Sequence, residues 1–174
     1  MSQFTTVALQ RVARGTRGII RKTAKSERYA ARLTRAVRTT DLDLLERLYR
    51  QATSGFNDIS ANRNGFGIGF AAPAPADEIF MNTAIQGGKL FTANRIRSLS
   101  FRVLPLYNKI AGDSQYAQRL VRAASARDQV RLRRLIAPYV RRNGLLSATG
   151  DSKGIALRIR VAGGAVFLHQ FFVL

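Results

Sequence analysis

The 174-residue chain has no cysteine, no tryptophan and a single histidine, His169. Without cysteine there is neither a disulfide nor a thiolate metal site, and the composition favours synthesis in a reducing, intracellular compartment. Metal centres draw on clustered His, Cys or carboxylates, and no such cluster runs along the chain, so no metal or cofactor is expected. Acid is scarce: 10 Asp+Glu stand against 29 Lys+Arg, a formal charge of +19. No stretch has the about 18 consecutive apolar residues of a membrane span. The N-terminus lacks the apolar segment of a secretory signal. The first 26 residues hold no acid and several Arg, Ser and Thr, a composition like that of an organellar presequence. Related residues recur at 88–113, however, and a discarded leader has no reason to be repeated inside a mature chain.

What is abundant is arginine, 24 of the 29 cations. Its planar fork grips phosphate or carboxylate through two parallel hydrogen bonds, which lysine cannot do. An acidic partner is therefore expected, whether nucleic acid, an anionic polymer or an acidic protein. The charge is no detachable tail: residues 1–87 carry 13 bases and 7 acids, residues 88–174 carry 16 and 3. Hydrophobic residues make up 46% of the chain, enough for a folded core rather than disorder.

The chain is also written twice. Displaced by 87 residues, Phe4-Thr5 meets Phe91-Thr92, and Tyr29–Leu48 meets Tyr116–Leu135 with 10 identities in 20 positions, among them Tyr29/Tyr116, Leu33/Leu120, Asp41/Asp128 and Leu48/Leu135. After a slip of two residues, Gly65 meets Gly154. Each copy alone would have a marginal core, so two copies, 1–87 and 88–174, are expected to pack together.

Within a copy the hydrophobic period changes once. Leu9, Val12, Ala13, Thr16, Ile19, Ile20 and Thr23 recur at helical spacing, as do Ile96, Leu99, Ser100, Val103, Leu106, Tyr107 and Ile110. Pro105 is expected to bend or shorten the second of these helices. A second helix buries Tyr29, Leu33, Ala36 and Val37, answered by Tyr116, Leu120, Ala123 and Ala124. Asp41 and Asp128 stand where an N-cap opens a third. Beyond them the period becomes two: Gly65–Phe70, with a return strand at Glu78–Asn82, and Ile155–Val161 followed across Gly163-Gly164 by Val166–Leu174, read as β-hairpins. The expected fold is α+β: a tandem duplication of a unit made of helices followed by a β-hairpin, the copies forming a pseudo-symmetric pair.

The catalytic inventory is short. His169 sits alone in an apolar strand, the mark of a structural residue. Gly65-Phe66-Gly67-Ile68-Gly69 lacks the spacing of a dinucleotide loop and has no helix after it, so it reads as a strand that admits a close neighbour. The sequence points to a protein that is not an enzyme. Two features can bind. Arg21, Lys25, Arg28, Arg32 and Arg35 follow i, i+4, i+7, i+11, i+14, placing them on one helix face. The second copy offers Arg119 and Arg122, then Arg127, Arg131 and Arg134 on the next helix. Such rows neutralise phosphates without reading sequence, and they serve equally as a solvated outer face. The other feature is the apolar terminal strand with Val166, Leu168, Phe171, Phe172 and Leu174, which either completes its own sheet or extends a neighbour's edge into a homo-oligomer or polymer.

Ser114-Gln115-Tyr116-Ala117-Gln118-Arg119-Leu120-Val121-Arg122-Ala123-Ala124, followed by Asp128 and Leu132–Ile136, resembles a small inner spore-coat protein of bacilli, the YuzC type. Asp151-Ser152-Lys153-Gly154-Ile155-Ala156-Leu157-Arg158-Ile159 is similar to that family's closing strand. The likeness covers about residues 110–161, with a fainter echo at 26–70; the chain departs from the family in being duplicated, arginine-rich and free of cysteine. The resemblance implies a structural protein made in the mother cell of a sporulating bacterium and placed in spore surface layers, where it self-assembles or binds acidic coat protein. The alternative function is sequence-independent nucleic-acid binding through the arginine rows, in the cytoplasm.

Overall fold

The computed structural model describes residues 3–174. Three helices open the first half, α1 (Thr6–Lys25), α2 (Glu27–Thr39) and α3 (Leu42–Arg50), followed by three strands, β1 (Phe56–Asn62), β2 (Gly65–Ala71) and β3 (Glu78–Ile85). The second half runs in the same order: α4 (Ala93–Gly112), α5 (Ser114–Ser125), α6 (Gln129–Ile136), β4 (Leu145–Asp151), β5 (Gly154–Arg160) and β6 (Val166–Val173), with short 3-10 turns at Ala137–Tyr139, Arg141–Asn143 and Ala162–Gly164. The architecture is mixed α+β. Each half holds a three-strand meander where the sequence shows a hairpin. Phe56–Asn62 and Leu145–Asp151 escape the period-two pattern because each carries a bulge, between Phe56 and Asp58 and between Leu145 and Ser147. A bulge puts two residues opposite one and breaks the alternation.

The helices start where short polar side chains can accept from free N–H groups. Thr5 and Thr92 cap α1 and α4, Ser26 and Asp113 cap α2 and α5, and Asp41 and Asp128 cap α3 and α6. Tyr29 donates to the Leu48 carbonyl at 2.8 Å and Tyr116 to the Leu135 carbonyl at 2.7 Å, tying α2 to α3 and α5 to α6 alike. Pro105 does not shorten its helix: α4 is as long as α1, 20 residues each. The proline removes the N–H that would bond the Phe101 carbonyl four residues back. That carbonyl instead accepts from Arg141 Nη1 at 3.1 Å.

All six strands form one antiparallel sheet, ordered β1-β2-β3-β6-β5-β4. The halves meet at its centre, where β3 pairs with β6 from Ile79↔Val173 to Ile85↔Phe167. One core runs through both halves, from Leu9, Ile20 and Leu33 to Leu120, Leu157 and Phe171. The helices cover a single face of the sheet. Ile79, Met81, Thr83 and Ile85 on β3 and Phe167, His169, Phe171 and Val173 on β6 are buried beneath them, while the alternate residues face away. No helix among the described residues is long and apolar enough to cross a membrane.

Candidate interaction faces

The two layers differ in charge as well as in shape. The six strands carry two arginines, Arg158 and Arg160, against three acids, Asp58, Glu78 and Asp151. The whole positive excess of the chain therefore lies outside the strands, mostly on the outer surface of the helices. The cause is the amphipathic pattern: a helix with one side on the sheet presents the other to water, and arginine fills that side.

Nine of the ten cations singled out in the sequence lie on the helices of this layer, though not in the rows expected, and Arg127 lines a cavity beside the strand residues Thr149, Asp151, Gln170 and Phe172. Arg21 and Lys25 belong to α1, but Arg28, Arg32 and Arg35 belong to α2. Ser26 interrupts the run: it is extended (φ −118°, ψ 111°) and its hydroxyl accepts from Tyr29 N–H, so the helical phase is reset between the two groups. Arg28 and Arg35 are exposed, Arg32 is half-buried, and Arg38 continues their side of α2. In the second half Arg119 and Arg122 are exposed on α5, and Arg131 and Arg134 on α6. Arg127 departs from that last row. It sits in the turn before the Asp128 cap with φ 55°, outside the helix. Ion pairs among the described residues join Arg50 to Glu46, Arg97 to Glu27 and Lys109 to Asp113, and use none of the ten. The Asp113 hydrogen bond raises the Lys109 ammonium, and the same contact holds the Asp113 carboxyl below its ordinary range. A further basic cleft of about 360 Å³ is lined by Arg38, Arg63, Asn64, Gly88, Lys89 and Leu90. Sequence spacing cannot reveal it, because its cations come from a helix end, a strand turn and the link between the halves.

The terminal strand is placed differently from a free edge. β6 is paired on both sides, with β3 and with β5, so its backbone has no donors or acceptors left for a neighbour. The edges of the sheet are β1 and β4. Phe171 points into the core and is 1% exposed, next to Tyr107 and His169. Val166, Leu168 and Phe172 are half-buried on the helix-free face, and Leu174 is 75% exposed beyond the strand. Phe80 on β3 joins them, its ring stacked on that of Phe172 at 5.5 Å and 20° between planes. Phe80 was hidden in the sequence because its significance depends on which strand lies beside it.

This open face is low along β2 and hollowed beside the Phe80–Phe172 stack, with one cavity of about 350 Å³ lined by Thr149, Lys153, Ala156, Gln170 and Phe172 and another of about 220 Å³ lined by Ser60, Gly67, Asn82, Phe80 and Leu174. Gly65, Gly67 and Gly69 present no side chain to it, so the neighbours fold over the strand. A methyl at Gly67 would collide with the Asn82 amide and Ser60 hydroxyl, and one at Gly69 would meet the Phe80 ring at 2.6 Å. The run is thus a strand admitting close neighbours, as its composition implied.

His169 faces the opposite way, fully buried against α4, where the Tyr107 hydroxyl and its Nε2 share a 2.8 Å hydrogen bond. Burial pulls the imidazole down to about 4 and pushes the Tyr107 phenol up. The Thr16 hydroxyl also bonds Tyr107, and among the described residues His169 Nδ1 has no hydrogen-bond partner. No protein-family model, curated protein or solved structure matches the chain.

Proposed function

We propose that this chain is a non-enzymatic structural protein that self-assembles into a fibre, lattice or coat layer, and that the layer is that of a spore. The observation that carries this reading is the junction of the two halves. Gly65 pairs with Ala84 as Gly154 pairs with Phe172, which aligns β3 with β6 at an offset of 88; Ile79 then corresponds to Phe167 and Ile85 to Val173, and Ile79 pairs with Val173 while Ile85 pairs with Phe167. Each strand therefore meets the counterpart of itself in a self-complementary register, as two copies do about a two-fold axis. A unit that associates with its own duplicate in this way is built for like-with-like contact, which supports reading the molecule as a pseudo-symmetric pair. The open sheet face and the two edge strands supply further surfaces of the same kind.

The spore coat enters through the resemblance of residues 110–161, and an acidic coat protein is the partner that the arginine layer fits. Light scattering on nuclease-treated protein tests the reading. Apolar assembly persists or strengthens as salt rises, because burial is reinforced and charge repulsion between basic copies is screened.

A second reading is favoured by one observation, the unpaired and exposed Arg28, Arg35, Arg119, Arg122, Arg131 and Arg134. In it the helix layer lies along nucleic-acid phosphates without reading bases. Binding of this kind falls steeply with salt, opposite to the assembly response.

A further inference from the structure

We propose that the helix-free face of the sheet is the seat of a second copy of this chain, the two sheets packing face to face so that the helices and their arginines point outward on both sides. The proposal rests on the self-assembly reading and names its contact.

Three observations select a second copy over other occupants. The first is area. Six strands at about 4.8 Å spacing and about seven residues at 3.3 Å each make a face of roughly 650 Å² per copy, or about 1,300 Å² for the pair, within the range of stable interfaces.

The second is relief. The glycine lane of β2, with Ala84 on β3 and Ala156 on β5, keeps the face low, and the stacked Phe80–Phe172 pair and Leu168 supply its apolar centre. Sheet faces pack on one another about 10 Å apart, and the ridge of the stacked rings stands beside two hollows of the same face that can receive its counterpart on a second copy.

The third is charge. All five charged strand residues belong to this face: Asp58 and Glu78 in the first half, Arg158, Arg160 and Asp151 in the second. The strand residues of the face are therefore nearly neutral on a chain of +19, with Arg127 and Lys153 at one end of it, and two basic copies can meet here with far less repulsion than across the helix layer. A two-fold axis running along the strands between β3 and β6 sets the acid-bearing half of one copy over the arginine-bearing half of the other. Arg158 is already held at the rim by a 3.2 Å hydrogen bond from its Nε to Gln86 Oε1.

The test is sedimentation of nuclease-treated full-length protein over a range of concentrations, with Phe80→Glu/Phe172→Glu beside the wild type and circular dichroism as the check on folding. The expected result is a wild-type species of twice 19.3 kDa, or a multiple of that pair, and a folded monomer for the double variant. A double variant of unchanged size overturns the face-to-face contact while leaving self-assembly standing through the β1 and β4 edges. A wild type that stays monomeric, or associates only when nucleic acid or another acidic polymer is added, overturns both. Should the double variant misfold, Phe172→Trp replaces it, since the chain has no other tryptophan. Its emission moves to the blue with rising concentration if this face is covered, and an emission that does not follow the association contradicts the proposal.

Discussion

Asn82 on β3 stands directly opposite Gln170 on β6, 88 residues further along the chain. Several contacts recur in the two halves. Gly65 and Gly154 each open a second strand at the place where a Cβ would run into a backbone carbonyl, that of Thr83 in one half and that of Phe171 in the other. Ile85 N–H donates to the Asn64 carbonyl and Val173 N–H to the Lys153 carbonyl, both at 2.9 Å.

Equivalent substitutions are therefore expected to have matching costs. Gly65→Ala and Gly154→Ala should each lose about 2–3 kcal/mol, since the obstacle is backbone and cannot swing aside. Tyr29→Phe and Tyr116→Phe should each lose about 1 kcal/mol with the hydroxyl-to-carbonyl bond. Urea denaturation measures all four. A pair whose members differ by more than about 1 kcal/mol would contradict the equivalence of the halves at that site.

The arginine that answers Pro105 gives a sharper prediction. Arg141 bonds the Phe101 carbonyl, and its guanidinium lies 4.4 Å over the Phe101 ring. Pro105→Ala restores an N–H to that carbonyl and should be neutral or stabilising. Arg141→Ala should cost about 1 kcal/mol in the native background and less beside Pro105→Ala, the ring contact accounting for the remainder. A double-mutant cycle in denaturant reads the coupling. Strictly additive costs would mean that the guanidinium does not replace the missing bond.

His169 makes stability depend on pH. In the fold its imidazole protonates only near 4, whereas an unfolded chain takes up the proton near 6.5. Above about 6.5 both states are neutral and nothing is lost. Between 6.5 and 4 the unfolded state alone binds the proton, so stability falls with pH, by about 3 kcal/mol over the window. His169→Gln keeps a polar partner for Tyr107 and removes the titration. Denaturation at pH 7.5 and 4.5 should show a smaller acid loss in the variant than in the wild type, and equal losses would assign the acid sensitivity elsewhere.

The arginine layer is tested by charge. Arg28→Glu/Arg32→Glu/Arg35→Glu removes three cations from one side of α2 without touching the core. If that side meets phosphates, the slope of log affinity for duplex DNA against log salt should fall by about 3, read by fluorescence anisotropy. An unchanged slope would leave α2 as a solvated surface.

Much of this architecture was legible in the sequence, and the unread parts share a cause. The helices follow from Leu9 to Thr23, Tyr29 to Val37 and their repeats because packing against one sheet face imposes a 3.6-residue period, and Asp41 and Asp128 cap where their side chains can reach free N–H groups. The edge strands were hidden by their bulges. The order of strands was hidden because it depends on how the halves meet: the pairing of Val166–Leu174 with Ile155–Val161 was one of two readings open in the sequence and is the one observed, but its other neighbour, β3 with Phe80 beside Phe172, is connected to it by nothing in the spacing. The break at Ser26 was unread because arginine recurs across it in phase, although Ser26 carries an N-cap's chemistry.

The assembly claim is met most directly by negative-stain electron microscopy of nuclease-treated protein at low and at high salt. The account predicts ordered fibres, sheets or lattices that survive high salt. A monodisperse small particle under both conditions, ordering only when nucleic acid is returned, would contradict it and make the arginine layer the functional surface.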